Sequence, residues 1–333
     1  MANNTYKAFV VEKNEDKTFS YSVKDDLVVD DLPDDEVLIR VYYSTVNYKD
    51  SLSIQGNPAI TRRFPHTPGI DAAGVVEASK SGDYTVGDKV VIIGQPMGMA
   101  SPGGFGQYIR VPASWAMKVA ADTDLEQTMV YGTAGYTAAL SVDALKHHFG
   151  DLTNRKIIVT GATGGVGCIS VTLLSQLGCQ VTAVSGKATA TPFLNSIGAS
   201  EILGRSELES KGGQNLLRPQ WDGAIDVAGG NTLATILKLI DDNGCVAATG
   251  MVGDTTLNTT VLPFILRGIT LVGINAENTD IHTRQTIWNK YNFHDMPGNS
   301  ATLYHLITLN DLPAAMDAII QGTQIGRIVV DLR

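Results

Sequence analysis

Four glycines between residues 161 and 167 form the stretch of the sequence best suited to bind a phosphorylated ligand. The run I-I-V-T-G-A-T-G-G-V-G ends at Gly167, and apolar residues then recur at helical spacing as far as Leu174. Glycines let the backbone turn sharply, so that a phosphate can approach the N–H groups at the start of the following helix. The order of strand, turn and helix predicts a pyrophosphate site, with contacts from Thr163, Gly164, Gly165 and Val166.

The residues that follow the next apolar run indicate which dinucleotide would bind. Residues 180–185 predict a second buried strand, and its end is where such a site contacts the adenosine ribose. A site for NAD has Asp or Glu there, whereas this chain reads Ser185, Gly186 and Lys187. A hydroxyl and a cation suit a 2′-phosphate, so the sequence predicts NADP(H). The alternative is an ordinary βαβ unit with a solvated lysine at its turn.

Composition excludes several classes of protein and partner. The chain has 333 residues, enough for two domains, and its net charge of −9 comes with no Lys/Arg-rich block, which argues against a nucleic-acid partner. No basic leader precedes an apolar run and no apolar run could span a membrane, so we expect a cytoplasmic protein without a membrane partner. The cysteines are too few and scattered for disulfides, and we expect them to be small buried residues; a reactive thiol is the less favoured alternative. They are Cys168, Cys179 and Cys245.

The order of apolar runs predicts an α/β protein of two domains. Residues 1–125 are predicted to be β-rich, with short strands near 7–11, 18–23, 36–43, 74–77, 89–93 and 108–111. Residues 126–275 alternate between helix and strand, with strands at 157–160, 180–185, 222–227, 245–250 and 270–274, which is typical of a doubly wound parallel sheet. Residues 276–333 end in a strand that we expect to rejoin the first domain. We expect the Gly-rich stretch from Gly94 to Gly106 to be a surface loop, either a mobile flap or a plain connection.

Five motifs carry a resemblance to a known family. They are N-Y-K-D at 47–50, F-P-H-T-P-G-I-D-A-A-G at 64–74, G-T-A-G-Y-T-A at 132–138, V-S-G-K at 184–187 and P-F-I-L-R-G at 263–268. Together with the domain order they resemble the medium-chain dehydrogenase/reductase superfamily, in its zinc-free acrylyl-CoA reductase and quinone oxidoreductase branch (YhdH/YhfP type). The resemblance implies a GroES-like catalytic domain and a Rossmann domain.

The sequence contains no recognisable metal site. Zinc-dependent members of that superfamily carry a Gly-His-Glu element where this chain reads Gly69-Ile70-Asp71, and a cysteine cluster that is missing here. The six histidines show no ligand spacing either. We therefore expect no metal, and without a Lewis acid the remaining chemistry is hydride delivery to an activated acceptor.

The N-Y-K-D element holds the candidate catalytic residues. Reduction of a 2-enoyl thioester needs a group that binds the developing oxyanion and a proton for the α-carbon. By the resemblance Tyr48 lies beside the nicotinamide, where its hydroxyl could serve either need; the alternative is a packing tyrosine. Asn47 could hold the ribose or carboxamide, or be a turn residue. Asp50 could orient Tyr48 or Lys49, although a carboxylate that caps the next segment is the favoured interpretation.

Further contacts are assigned to charged residues and strand ends. Arg62 and Arg63 are candidates for attracting an anionic substrate such as a CoA thioester, or are simply solvated. On the cofactor side the resemblance adds Arg205 near the 2′-phosphate, Gly250, Met251 and Asn275 at strand ends, and Arg327 near the pyrophosphate. The family commonly reads V-S-G-R where this chain has Lys187, and a lysine lacks the planar fork of arginine.

We expect an NADPH-dependent reductase of enoyl thioesters or enones that acts on a small molecule. The alternatives are an NADPH:quinone oxidoreductase and a non-catalytic NADP(H)-binding protein, because fold alone does not prove chemistry. The apolar strand at 270–274 would form an edge of its sheet, and such an edge is normally covered, which predicts a homodimer.

Overall fold

A computed structural model describes residues 5–210, 213–291 and 300–333. The chain divides into two compact units. The described residues of the first unit are 5–133, 277–291 and 304–333, and those of the second are 134–210, 213–276 and 300–303. The first boundary therefore lies at Thr133/Ala134, inside a helix, instead of at the predicted position 125/126.

The elements follow one another in an order that is mostly strands before residue 120 and mixed thereafter. They are β1 (Thr5–Lys13), β2 (Phe19–Val28), β3 (Val37–Thr45), α1 (Tyr48–Ile54), β4 (Ala72–Ser79), β5 (Lys89–Ile92), β6 (Tyr108–Val111), β7 (Met117–Lys118), α2 (Leu125–Phe149), β8 (Lys156–Val159), α3 (Gly165–Gln176), β9 (Gln180–Ser185), α4 (Thr191–Ser196), β10 (Glu201–Gly204), α5 (Arg205–Glu209), β11 (Trp221–Asp226), α6 (Gly230–Leu239), β12 (Ile240–Ala248), α7 (Leu262–Arg267), β13 (Thr270–Gly273), α8 (Ile281–Lys290), α9 (Ser300–Leu303), β14 (Tyr304–Ile307), α10 (Leu312–Ile320) and β15 (Arg327–Asp331).

The first unit is built on a largely antiparallel sheet. Its strands lie in the order β14-β15-β3-β4-β5-β7, β6 also pairs with β3, and β1 and β2 form a separate pair. Alternating apolar residues of these strands, such as Ile39 and Ile109, pack into one buried cluster. The terminal strand β15 pairs antiparallel with β3, with Val329 opposite Thr45, so the end of the chain returns to the first unit.

The second unit is a doubly wound parallel sheet. Its six strands lie in the order β10-β9-β8-β11-β12-β13, which reverses direction at β8 as in dinucleotide-binding folds. The predicted α/β fold class, with a β-rich first domain and a Rossmann-like doubly wound domain, is confirmed. The sequence missed β10, because E-I-L-G at residues 201–204 is too short to show a period. Among the described residues, none of the helices has the length and apolar character that crossing a bilayer requires.

The stretch from Gly94 to Gly106 is not the surface loop that its composition predicts. Most of it is buried, and Met97 and Phe105 are fully enclosed. The N–H groups of Gly103, Gly104 and Phe105 donate to the carbonyl groups of residues 67–69 at 2.8–3.0 Å. A Cβ at Gly104 would collide with the carbonyl oxygen of Asp71. The glycines therefore let two backbones pack against each other, which corrects the prediction of a flap.

Candidate cofactor and active site

The Gly-rich turn after β8 has the geometry of an anion site. Gly161 has a φ of +55°, and a Cβ at Gly167 would collide with the carbonyl oxygen of Gly161. Glycine is required at both positions because one turns the chain and the other packs α3 against the turn. Gly164 is the N-cap of α3. The predicted contacts at residues 163–166 thus lie at a 12-residue helix N-terminus, which attracts phosphate.

The turn after β9 brings the predicted ribose contacts together. The Lys187 Nζ donates to Thr163 Oγ1 at 2.9 Å, and the Lys187 backbone N–H donates to Ser185 Oγ at 3.0 Å. A Cβ at Gly186 would lie 3.6 Å from Cζ of Arg205. Burial lowers the pKa of Lys187, and the positive charge of Arg205 lowers it further. Two cations beside a residue without a side chain fit a 2′-phosphate, so these residues fit NADP(H).

The remaining cofactor candidates lie at the carboxyl ends of neighbouring parallel strands. Gly250 follows β12, and its N–H donates to the carbonyl oxygen of Asp226 at 3.3 Å. Met251 has 66% of its surface exposed, and Asn275, which follows β13, is exposed as well. The carboxyl ends of parallel strands meet at one edge of the sheet. The segments that follow β12 and β13 therefore lie at the same edge as the Gly-rich turn.

A buried carboxylate at this edge escaped the sequence analysis. Asp226 ends β11 and accepts hydrogen bonds from Thr160 Oγ1 at 2.8 Å and from the Gly229 N–H at 2.7 Å. Burial raises the pKa of Asp226. The two side chains join the ends of β8 and β11 and so brace the start of the Gly-rich turn. The sequence signal that could have found this pair is a polar residue at the end of each of two apolar strands, Thr160 after β8 and Asp226 in β11.

In the first unit, Asp50 fixes the start of α1. Its Oδ2 accepts the Asn47 N–H at 2.8 Å, and its Oδ1 accepts the N–H groups of Gly69 and Ile70 at 3.1 and 3.0 Å. The carboxylate is fully buried, and burial raises its pKa to about 7 despite these bonds. Both oxygens thus bind backbone groups, which gives Asp50 the capping role that the sequence favours. It can orient Tyr48 only through the helix backbone.

Asn47 is held from two sides, and Asp71 is one of the groups that holds it. The Asn47 Nδ2 donates to Asp71 Oδ2 at 2.8 Å, and the Thr133 N–H donates to the same oxygen at 2.9 Å. The Thr133 hydroxyl donates to the other oxygen of Asp71. Gly132, with a φ of +51°, has no side chain to block this approach. Burial raises the pKa of Asp71, while these bonds and the charge of Arg327 oppose the rise.

Arg327 completes this network. It lies on β15, is buried, and donates to Thr45 Oγ1 at 2.7 Å, to the Val130 carbonyl at 2.9 Å and to Asn47 Oδ1 at 3.5 Å. The resemblance predicted Arg327 near the pyrophosphate, and that contact stays a prediction, while the bonds described here give it the task of holding Asn47. Sequence analysis missed Asp71, Thr133 and Thr45 as site residues, although the first two lie inside the quoted motifs.

Tyr48 differs from its neighbours because its hydroxyl has no hydrogen-bond partner within the described residues. The side chain has 37% of its surface exposed. It is the first residue of α1, directly after the restrained Asn47. The next residue, Lys49, forms an ion pair with Glu277, and burial lowers the pKa of Lys49. The structure therefore combines a fixed backbone with a phenol hydroxyl that is open to a ligand.

Arg62 and Arg63 lie outside this network. Both are exposed, and the Arg62 Nε donates to the Pro58 carbonyl oxygen at 3.0 Å. Within the described residues no hydrogen bond joins either arginine to Asn47, Asp71 or Arg327, and the substrate assignment stays a prediction.

The residues at the position of the superfamily's zinc element do not fit a metal. Ile70 offers only buried hydrocarbon, and both oxygens of Asp71 accept bonds from Thr133 and Asn47. Across residues 5–210, 213–291 and 300–333, no three His, Cys, Asp or Glu side chains are grouped to hold a metal ion.

Comparison with known proteins yields close relatives. Residues 33–121 match the alcohol dehydrogenase GroES-like domain, and residues 165–290 match the family described as zinc-binding dehydrogenase. Acrylyl-CoA reductase AcuI of Ruegeria pomeroyi is 38% identical over 328 residues, which cover 98% of this chain and 99% of that protein. The YhdH oxidoreductase of Salmonella enterica, solved with NADP, is 38% identical with a TM-score of 0.93, and the match covers 98% of this chain and 100% of that one. Bacillus subtilis YhfP, solved with NAD, is 37% identical with a TM-score of 0.93, over 98% and 99% of the two chains.

Proposed function

The chain belongs to the medium-chain dehydrogenase/reductase superfamily, in its YhdH/YhfP branch, and on that premise we propose that it reduces the activated C=C bond of small 2-enoyl thioesters or enones. The relatives make it an NADP-binding oxidoreductase. An acrylyl-CoA-like thioester is the substrate that its 38% identity to AcuI supports.

The observation that carries the proposal is the Tyr48 hydroxyl. It is exposed and has no partner within the described residues, while the backbone on either side of it is fixed by Asp50 and Asn47. A hydroxyl that no protein group engages can donate to an oxygen that becomes negative in the transition state without first breaking a bond within the protein. The buried polar network restrains the backbone that carries this donor.

NADPH, when bound, supplies a hydride for the β-carbon of the acceptor. Negative charge then develops on the thioester oxygen, and Tyr48 Oη donates a hydrogen bond to that oxygen. A proton must also reach the α-carbon, and Tyr48 is our candidate for that transfer as well. Asp50 takes no part in proton transfer because both of its oxygens bind backbone N–H groups. The exposed Arg62 and Arg63 attract an anionic CoA thioester before it binds.

The cofactor preference follows from the cations at the turn after β9. Lys187 and Arg205 favour NADPH over NADH because only NADPH carries a charge for them to bind. We expect Lys187→Ala to raise the KM for NADPH by about 10–100-fold and to leave the KM for NADH nearly unchanged. Equal losses for both cofactors would contradict the assignment.

Self-association is part of the same proposal. The strand β13 is an edge of the parallel sheet among the described strands. The helix before it, α7, exposes Ile265 and Leu266, with 72% and 62% of their surfaces open. A two-fold partner would cover both, so we propose a homodimer. Light scattering at micromolar concentration should give twice the chain mass, and an active monomer would contradict the proposal.

A cytoplasmic location and the lack of nucleic-acid or membrane partners belong to the proposal too. Support comes from the three cysteines, which are buried and not in disulfide bonds, as is usual for proteins of reducing compartments. Fractionation of the source cells would test the location.

A steady-state comparison of three acceptors tests the reaction. The purified chain is supplied with NADPH and, in turn, with acrylyl-CoA, a simple enone and a quinone. The highest kcat/KM with acrylyl-CoA supports the proposal, and the highest value with the quinone assigns the protein as an NADPH:quinone oxidoreductase. No NADPH oxidation with any acceptor would leave a non-catalytic NADP(H)-binding protein. Tyr48→Phe is the matched variant for all three assays.

A further inference from the structure

Lys187 in the second unit is restrained both at its backbone and at the end of its side chain. Its Nζ donates to Thr163 Oγ1 at 2.9 Å, while its backbone N–H donates to Ser185 Oγ at 3.0 Å. The side chains of Thr163 and Ser185 are both buried, so both bonds are partly shielded from water. These contacts join the Gly-rich turn to the turn after β9.

The restrained ammonium lies near a second positive charge. The guanidinium of Arg205 covers Gly186, where a Cβ would be 3.6 Å from Cζ. The charge of Arg205 also opposes the charged form of Lys187. Two like charges held near each other repel, and a doubly charged phosphate that contacts both removes that repulsion.

A lysine by itself is a poor element of specificity. Its ammonium is a point charge on a flexible stem, and the side chain loses rotamer freedom when it binds a ligand. A hydroxyl that fixes the ammonium beforehand removes part of that cost, as any preorganised contact does. Thr163 is placed to do this because it precedes the helix α3 and is itself fixed by burial.

We propose that Thr163 is a specificity-determining positioning residue, whose hydroxyl fixes Lys187 beside Arg205 as a preformed seat for the 2′-phosphate of NADPH. The inference rests on the cofactor preference in the proposed function and deepens it. Thr163 then acts on the 2′-phosphate through Lys187 and has no direct share in the binding of that group.

Two probes without a nicotinamide test the proposal in the full-length protein. Adenosine 2′,5′-bisphosphate carries the 2′-phosphate, and 5′-AMP is the same ligand without it. By calorimetric titration we expect Thr163→Val to lower the ratio of bisphosphate affinity to 5′-AMP affinity about tenfold, because any contact of Thr163 with the 5′-phosphate is lost equally for both probes. Thr163→Ser keeps the hydroxyl and should restore the affinity for the bisphosphate to within about twofold of the wild type.

A matched control tests whether the loss of any buried threonine hydroxyl has the same effect. Thr172 is buried on α3, and its Oγ1 donates to the Cys168 carbonyl at 3.0 Å. Thr172→Val makes the same chemical change within α3 and should leave both affinities unchanged. The melting temperatures of the three variants show whether each is folded.

A double-mutant cycle separates positioning from direct contact. Lys187→Ala should remove most of the advantage of the bisphosphate over 5′-AMP, and adding Thr163→Val to that variant should cause no further loss. A further loss of that advantage in the double variant would mean that Thr163 contacts the 2′-phosphate itself and would overturn the proposal. Tighter bisphosphate binding by Thr163→Val would overturn it as well, because Thr163 would then compete with the phosphate for Lys187.

The binding result is independent of catalysis because neither probe can transfer a hydride. If no acceptor is reduced but bisphosphate binding depends on Thr163 through Lys187, the inference stands and the proposed reaction fails. If acrylyl-CoA is reduced but Thr163→Val binds both probes like the wild type, the reaction stands and the inference fails.

Discussion

The opposite charges of Asp71 and Arg327 in the first unit both bond to Asn47, whereas Lys187 in the second unit lies near another cation. In the first unit Asp71 and Arg327 hold Asn47 from two sides and are themselves satisfied by Thr133 and Thr45. In the second unit the charge of Arg205 opposes that of Lys187. The network around Asn47 needs no ligand to balance its charges, whereas the Lys187 and Arg205 pair is stabilised when an anion binds.

The difference separates two tasks that one enzyme must perform. A buried network in which opposite charges are bonded to polar groups keeps the backbone next to Tyr48 in one position. A pair of like charges near the surface makes the free protein less stable locally and makes binding of a phosphate more favourable. Substitutions in the first unit should therefore change stability and kcat, and those in the second should change the affinity for the cofactor.

The largest effect is expected from Asp71→Ala. The change leaves the Asn47 amide and the Thr133 N–H without their acceptor and removes the negative charge near the buried Arg327. We expect the free energy of unfolding to fall by about 3–5 kcal/mol. Urea denaturation measures it, with Asp317→Ala on the exposed side of α10 as the control, for which the change should stay within about 0.5 kcal/mol. A loss below about 1 kcal/mol would show that the network is not the rigid region described here.

Tyr48→Phe tests what the rigid network is for. If the hydroxyl stabilises the oxyanion or delivers the proton, kcat should fall by about 10²-fold with cofactor affinity and melting temperature retained. If Tyr48 only packs on the nicotinamide, Phe should be almost silent while Tyr48→Ala weakens NADPH binding. Destabilisation of the fold by both variants, without a specific kinetic defect, would mean that the active site lies elsewhere.

A pH dependence of stability should come from Asp50. Its pKa of about 7 lies above that of an unfolded chain, so the folded state binds an extra proton between those two pKa values. The contribution of Asp50 to stability is therefore lost as the pH rises through 7. Relative to Asp50→Asn, the wild type should gain about 1 kcal/mol when the pH falls from 7.5 to 6. If the wild type instead lost stability relative to Asp50→Asn when the pH falls, burial would not be the dominant cause of the shift in the Asp50 pKa.

The smallest expected effect is that of chelation. Prolonged dialysis against a strong chelator should leave kcat and the melting temperature unchanged, because the position of the zinc element holds Ile70 and an Asp71 with both oxygens in use. Elemental analysis of the dialysed protein accompanies the assay. If removal of one equivalent of zinc per chain abolished the activity, the prediction would be contradicted and the first unit would hold a functional metal site.

The sequence predicted the second unit better than the first, for a physical reason. The Gly-rich turn, Ser185 and Lys187 lie at the ends of consecutive strands, so apolar periodicity alone puts them at one sheet edge. The network of the first unit joins residues far apart: Asn47 and Asp71 are 24 positions apart, and Arg327 is 280 positions from Asn47. No local pattern in the sequence predicts such distant pairs. The burial of residues 94–106 was missed for another reason, because in a sequence the glycines of a tight backbone contact look the same as the glycines of a loop.

The pairing of β15 with β3 affects the order in which the protein can mature on the ribosome. Residues 134–276 are complete while the last strand is still to be made, so the parallel sheet can form early during translation. The sheet of the first unit must wait, with residues 43–45 of β3 lacking their partner strand and Asn47 lacking Arg327, until β15 has been made. A nascent chain that stalls before residue 327 would therefore carry an assembled nucleotide unit beside an unfinished catalytic one, with an open strand edge for chaperones to bind.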